Sequence, residues 1–81
     1  MTIRVLAFAR LRELLGFGER QLLLGDGATL DDVWTQLGGG AGALAHLRPS
    51  TRFARNGALA AGDTPLRDGD EVALLPPLGG G

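Results

Sequence analysis

The segment Asp68-Gly69-Asp70-Glu71-Val72-Ala73-Leu74-Leu75-Pro76-Pro77 decides the predicted fold. Its opening Asp-Gly-Asp is typical of a turn, and the residues that follow alternate between two faces. The two prolines then remove the backbone donors that a longer strand would need. The segment therefore predicts a strand over residues 71–75 that stops where the prolines begin.

The N-terminal part of the chain predicts a strand, a short helix and a second strand. Residues 2–8 carry apolar side chains on both faces, which is typical of a central strand. Leucines at helical spacing then predict an amphipathic helix that ends at Gly16. Residues 19–24 predict the next strand. The helical leucines are Leu11, Leu14 and Leu15.

The main helix is predicted after Thr29, whose side chain can cap it together with Asp32 in a variant of the capping box. Trp34 falls on the apolar stripe of this helix, so we expect it in the core. The glycine-rich residues 38–42 are predicted to end this helix and to form a flexible connection to the next segment. The stripe consists of Leu30, Val33, Trp34 and Leu37.

The region after the glycines predicts a helical turn and a hairpin. Residues 43–47 have helical character that Pro49 cannot continue. Asn56-Gly57 suits a type I′ turn between short strands over residues 52–55 and 58–60. Strands and helices therefore interleave around one mixed sheet of about five strands with one main helix. This order predicts an α+β fold of the ubiquitin-like β-grasp class over residues 1–75.

The composition excludes several classes of function. Eight basic residues face nine acidic ones, so no net positive field attracts nucleic acid. Cysteine is absent, which removes disulfides, thiolate metal sites and cysteine nucleophiles, and the single histidine, His46, cannot build an ordinary zinc site alone. All the basic residues are arginine, so no lysine can receive an acyl group. We expect no bound cofactor and no metal.

The size of the chain disfavours a self-contained enzyme. A domain of 81 residues buries only roughly 60 to 65% of its unfolded surface, which leaves little room for a deep catalytic cleft. The apolar run at residues 5–9 is too short for a signal segment or a membrane span. We therefore expect a cytoplasmic protein with no membrane partner.

Residues 76–81 are predicted to form a tail that carries a reactive carboxylate. Two prolines stiffen its exit from the sheet, and three glycines leave its path free of side chains. Adenylation of the Gly81 carboxylate would give it a good leaving group, and a sulfur nucleophile would then produce a thiocarboxylate. The alternative is that the glycines are a frayed terminus or a cloning scar.

Two segments carry a resemblance to a known family. They are Arg4-Val5-Leu6-Ala7-Phe8-Ala9-Arg10-Leu11-Arg12-Glu13-Leu14-Leu15-Gly16, and the segment from Pro65 to Pro77 together with the terminal glycines. Both are similar to the MoaD-type small subunit of molybdopterin synthase, a ubiquitin-like sulfur carrier. Gly79 adds a third terminal glycine, and Leu74-Leu75 stand where aromatic residues are common in relatives. Residues 38–51 match poorly, so no function is carried over to them.

The resemblance implies a role in molybdenum cofactor biosynthesis. A ubiquitin-activating-type adenylyltransferase would consume ATP to adenylate Gly81, and sulfuration would give the thiocarboxylate. The tail would enter the large subunit of a heterotetrameric molybdopterin synthase and donate sulfur to a pyranopterin precursor. Gly80 would provide clearance, and the large subunit would supply the catalytic side chains, so the carrier itself is expected not to be an enzyme.

The candidate interface residues are Phe8, Leu75, Pro77, Leu78 and Gly79. The first and last strands of a β-grasp fold are neighbours, so Phe8, Leu75 and Leu78 could form an exposed apolar patch, with core packing as the alternative. Surface arginines could pair with acidic residues of an activating enzyme, although such residues are more often solvated. The arginines considered for this role are Arg10, Arg12 and Arg55.

Two other classes of function stay open from the sequence. A ubiquitin-like modifier would use the same adenylated Gly81 but pass it to an amine of a target protein. A plain interaction module would have an inert tail. Within the carrier class, the sulfur acceptor could also be a thiamine thiazole precursor or a transfer-RNA base, and the sulfur source stays open.

Overall fold

The computed structural model of the protein describes residues 1–38 and 40–77, and these contain a five-stranded mixed sheet. The strand order is β2-β1-β5-β3-β4, with β1 parallel to β5 and the other pairs antiparallel. The predicted strand of residues 71–75, the central position of the first strand and its pairing with the last are confirmed. The strands are β1 (Thr2–Ala7), β2 (Glu19–Leu23), β3 (Arg52–Arg55), β4 (Ala58–Ala60) and β5 (Glu71–Leu75).

The helices lie between the strands in the predicted order. The expected main helix, α2, has seven residues and is no longer than α1, but it buries Leu30, Val33 and Trp34, whereas α1 buries Leu11 alone. Pro49 does end the third helix, yet the chain continues as a 3₁₀ turn because proline is tolerated in the first turn of a helix. The helices are α1 (Ala9–Leu15), α2 (Leu30–Gln36), α3 (Gly42–Leu47) and the 3₁₀ turn (Arg48–Ser50).

The first strand ends one residue earlier than its alternating pattern predicts. Phe8 still has an extended backbone, with φ −126° and ψ 152°, but Ala9 adopts a left-handed φ of 51° that turns the chain into α1. The carbonyl of Phe8 then accepts the N–H of Leu11 at 3.1 Å. A left-handed residue other than glycine is sterically unfavourable, so no propensity argument predicts this turn.

The core lies between the helices and one face of the sheet. Ile3, Val5 and Ala7 of β1 and Val72 and Leu74 of β5 point into it and are at most 3% exposed. Trp34 belongs to the same cluster, as its position on the helical stripe predicts. We call this side of the sheet the inner face. The remaining buried members of the cluster are Leu11, Leu24, Leu30, Val33, Phe53 and Leu66.

The predicted capping box at the start of α2 is confirmed. The side chain of Thr29 accepts the N–H of Asp32 at 3.3 Å, and Asp32 Oδ2 accepts the N–H of Thr29 at 2.8 Å. Asp31 and Asp32 also place negative charge in the first turn, where the helix dipole favours it. These local bonds fix the entry of α2 onto the inner face.

A hydrogen-bonded clamp joins the β3–β4 hairpin to the start of β5. Asn56 and Gly57 have φ values of 51° and 86°, as a type I′ turn requires. Asn56 Nδ2 donates to Asp70 Oδ1 at 2.9 Å, and Asn56 Oδ1 accepts the N–H of Glu71 at 2.9 Å. Asp70 Oδ2 accepts the N–H of Arg67 at 2.8 Å. The aspartate that the sequence predicts as a turn residue therefore also fixes the position of β5.

The charge of Asp70 is stabilised in the folded protein. Burial acts to raise the pKa of Asp70, but the hydrogen bonds from Asn56 and the Arg67 N–H, with the positive charges of Arg55 and Arg67, leave that pKa lowered. A carboxyl with a lowered folded pKa contributes stability above its unfolded pKa and loses that contribution as the pH falls through the folded pKa. Asp70 therefore stabilises the fold at neutral pH.

Replacing Asp70 with asparagine is expected to lower the free energy of unfolding by about 1 to 3 kcal/mol at pH 7. The asparagine side chain would replace one carboxylate oxygen by an NH₂ group, which cannot accept a hydrogen bond from Asn56 or from the Arg67 N–H. The difference from the wild type should shrink as the pH falls from about 5 toward 2, where the aspartate becomes protonated. Urea denaturation across this range measures the effect. The exposed Asp26→Asn variant is the control, and a difference independent of pH would contradict the assignment.

Candidate functional site

The outer face of the sheet carries a continuous row of apolar side chains across four strands. Leu6 of β1 pairs with Ala73 of β5, Ala73 with Ala54 of β3, and Ala54 with Leu59 of β4. None of these residues belongs to the core cluster of the inner face. Leu59 is 63% exposed, although it lies in a strand. Leu6 and Ala73 are half-buried, and Ala54, at the centre of the row, is buried. We call this apolar side of the sheet the outer face.

A second row lies where the last strand ends. Leu75 pairs with Arg52 of β3, and the extended backbone of Phe8 places its side chain on the same side as Leu6. Phe8 is 44% exposed and Leu75 is half-buried, and neither packs into the inner core. The apolar residues of the outer face are thus Leu6, Phe8, Ala54, Leu59, Ala73 and Leu75, and Arg52 lies on the same side of the sheet.

The chain leaves the sheet beside a small apolar groove. Pro76 is half-buried and Pro77 is exposed, and together they form one wall of the groove. The groove has a volume of about 270 Å³. Its other walls come from α1 and from the end of α3 with the following turn, through Arg10, Leu11, Leu47, Ser50 and Thr51. Pro76 and Pro77, the first two residues of the predicted tail, therefore lie against α1 and the end of α3.

The structure brings some of the predicted interface residues together. Phe8, Leu75 and Pro77 lie at one end of the sheet, where β1 and β5 run in parallel and end side by side. Their role as an interface stays a prediction. Leu78, Gly79, Gly80 and Gly81 lie outside the described residues, so the predicted carboxylate chemistry rests on the sequence.

Sequence reasoning missed four of the six apolar residues of the outer face. Leu6, Ala54, Leu59 and Ala73 were not singled out, because the pairing register of the strands brings them together and the alternation within a single strand does not reveal that register. The Asn-Gly turn held a usable signal, since residues two before and two after a two-residue turn share one face of the hairpin. Ala54 and Leu59 stand in that relation to Asn56-Gly57.

The described residues hold no assembled metal site. Within residues 1–38 and 40–77, no group of three or more His, Asp or Glu side chains is placed to hold a metal ion. His46 is exposed on α3. In the same part of the chain, no helix is both long and apolar enough to cross a lipid bilayer.

The structure has a mixed sheet with helices on one face and an apolar outer face, and its last strand is central and is followed by Pro76 and Pro77. These features define the ubiquitin-like β-grasp class. The model of the ThiS family matches residues 5–81. The chain therefore belongs to the ThiS family.

Named relatives lie within this class. The chain is 41% identical, over 100% of both chains, to the molybdopterin synthase sulfur carrier subunit of Chlamydomonas reinhardtii. The structure resembles SAMP1 from Haloferax volcanii, with a TM-score of 0.79, 29% identity and full coverage of both chains. It also resembles a chain in the complex of subunits 1 and 2 of the molybdopterin-converting factor of Helicobacter pylori 26695, with a TM-score of 0.68, 26% identity and full coverage of both.

Proposed function

We propose that this protein is a cytoplasmic sulfur carrier for molybdenum cofactor biosynthesis and the small subunit of a molybdopterin synthase. The observation that carries the proposal is the 41% identity, without truncation of either chain, to a relative named as the sulfur carrier subunit of that synthase. The resemblance of the segments around Phe8 and Val72 to the MoaD type agrees with it. The sheet geometry adds support, since the reactive end follows directly from a clamped central strand.

The proposed chemistry takes place at the carboxylate of Gly81. In the first step, a carboxylate oxygen attacks the α-phosphate of ATP, which forms an acyl-adenylate and releases pyrophosphate. In the second step, a sulfur donor at the oxidation level of sulfide attacks the acyl carbon, and AMP leaves with its electron pair. The product is a thiocarboxylate, and transfer of its sulfur to the acceptor followed by hydrolysis restores the carboxylate. This chain supplies the carboxylate, while partner proteins supply the catalytic groups.

The outer face gives the carrier its docking surface in this proposal. An apolar surface that is exposed at Phe8 and Leu59 is suited to burial against another protein, and a partner bound there would orient the tail. The related Helicobacter pylori structure is a complex of two subunits. By analogy, the large subunit would cover the outer face around Leu59 and Leu75 and receive the tail beyond Pro77.

Intact mass spectrometry tests the proposal. We expect the untagged protein, after incubation with an activating enzyme, ATP and a sulfide source, to yield a C-terminal fragment in which one oxygen is replaced by sulfur. A variant that lacks Gly80 and Gly81 is the matched control and should remain unchanged. Absence of the sulfur-containing fragment from the wild type under conditions that charge a known carrier would overturn the carrier assignment.

A protein modifier is the second candidate, because the structure is similar to SAMP1, which is named a small archaeal modifier protein in related solved structures. A modifier would form the same adenylate and transfer Gly81 to a lysine of a target. Self-conjugation is excluded through lysine, which the chain lacks. Conjugates of higher mass in cell extracts, lost when Gly80 and Gly81 are deleted, would support this candidate over a carrier.

A further inference from the structure

The arginines of this protein divide into engaged and unengaged groups. Arg4 forms an ion pair with Glu71 and Arg48 with Asp31, while Arg55 donates to a carbonyl oxygen. The side chains of four arginines, in contrast, make no hydrogen bond, ion pair or ring contact with any of residues 1–38 and 40–77. They are Arg10, Arg12, Arg52 and Arg67. All four are exposed. Their guanidinium groups are therefore available to a partner.

Two of the four unengaged arginines, Arg10 and Arg52, flank the point where the tail begins. Arg52 is the β3 residue paired with Leu75, the last residue of β5. Arg10 lies in the wall of the groove that Pro76 and Pro77 also line. Arg52 thus lies on the sheet side of the exit and Arg10 on its helix side. We call Arg10 and Arg52 the collar.

The acidic residues at the other end of β5 are already neutralised or hydrogen-bonded. Asp68 Oδ1 accepts the N–H of Thr2 at 2.6 Å, Asp70 belongs to the hairpin clamp, and Glu71 is paired with Arg4. At roughly 3.3 Å per residue, the two ends of β5 lie about 13 Å apart. At the end that carries the tail, Arg10 and Arg52 have no acidic partner among the described residues, although the chain as a whole has a net charge of −1.

We propose that the collar binds aspartate and glutamate side chains at the opening of the protein that receives the tail. This inference rests on the proposed function, in which that protein is the synthase large subunit. The apolar outer face adjoins the collar and would supply affinity, while paired charges around the exit would steer the tail toward its opening and fix its orientation. Arginine suits this role because its planar fork binds a carboxylate through two parallel hydrogen bonds.

The association rate constant tests the proposal. If Arg10 and Arg52 were merely solvated, reversing their charge would affect this rate constant no more than reversing the charge of an arginine elsewhere on the surface. Arg52→Glu and Arg67→Glu change the net charge equally at opposite ends of β5, so they form a matched pair. Association with the large subunit is measured by stopped flow at several salt concentrations. Thermal denaturation of each variant verifies that the fold is retained, since all three positions are exposed.

We expect Arg52→Glu to lower the association rate constant about tenfold at about 50 mM salt, and the double variant Arg10→Glu/Arg52→Glu about a hundredfold. Arg67→Glu should change it less than about threefold. The differences should shrink near 0.5 M salt, where screening is strong. Equal effects of Arg52→Glu and Arg67→Glu, or no effect of either, would overturn the collar. Failure of the wild type to bind the large subunit would instead overturn the proposed function, and with it the partner named here.

Discussion

Replacing Leu74 with alanine is expected to lower the free energy of unfolding by about 3 to 5 kcal/mol. Leu74 is fully buried, and it lies in the central strand between Ala7 of β1 and Phe53 of β3. Removing its branched end leaves a cavity that these strands cannot close without breaking their pairing. Because a domain of this size has only about 4 to 12 kcal/mol of stability, a large part of it would be lost.

Leu75→Ala is the matched control for this prediction. The same atoms are removed from the next residue, but Leu75 is half-buried on the outer face. We expect a loss of about 1 kcal/mol or less in stability and weaker binding to the large subunit. Urea denaturation followed through the fluorescence of Trp34, the single tryptophan and 5% exposed, measures both variants. Equal costs for the two substitutions would contradict the division of β5 into an inner and an outer face.

Adding one alanine after Gly81 is expected to reduce sulfur transfer at least about a hundredfold, because catalysis depends on placing the reacting atom within about 1 Å. The added residue moves the carboxylate by about 3.5 Å and places a β-carbon beside it. Residues 1–77 are unchanged, so the folded core and the outer face should be unaffected. The measurement is single-turnover sulfur transfer by the reconstituted synthase, with the affinity for the large subunit determined alongside.

The control for the tail is alanine at Gly79, which adds the same methyl group without moving the carboxylate. We expect this variant to retain most of its activity, whereas Gly80→Ala should be impaired if this residue provides clearance. An extended protein that transfers sulfur at the wild-type rate would show that the terminal carboxylate is not the reacting group. The assignment of the sulfur-carrying role to Gly81 would then be wrong.

Local signals in the sequence were sufficient for most of the fold. Alternation bounded by Asp-Gly-Asp and Pro-Pro predicts β5 to the residue, and Asn56-Gly57 predicts the hairpin, since each signal acts over a few neighbouring residues. The left-handed turn at Ala9 could not be predicted, because α1 and the sheet impose it on a residue with no preference for it. The sequence also did not indicate that α1 and α2 have the same length. What distinguishes α2 as the main helix is its larger number of buried side chains.

The candidate site was predicted less completely. Phe8 and Leu75 follow from the adjacency of the first and last strands, a property of the fold class. Arg52 was overlooked and Arg55 was considered instead. Both arginines belong to β3, and the sequence does not reveal which of them lies on the outer face. The structure turns Arg52 toward the outer row with Leu75, while Arg55 donates to the carbonyl of Pro65 at 3.0 Å.

The central position of β5 has a consequence for how the protein is made. Both β1 and β3 emerge from the ribosome before β5, yet each needs β5 as its neighbour, so the sheet can close only after the chain has left the exit tunnel through Leu75. A product of premature termination lacks this strand and leaves two open edges, which exposes it to proteolysis. Only a chain that has been translated past Leu75 can therefore complete the sheet, so a folded molecule has been synthesised at least as far as the start of the tail.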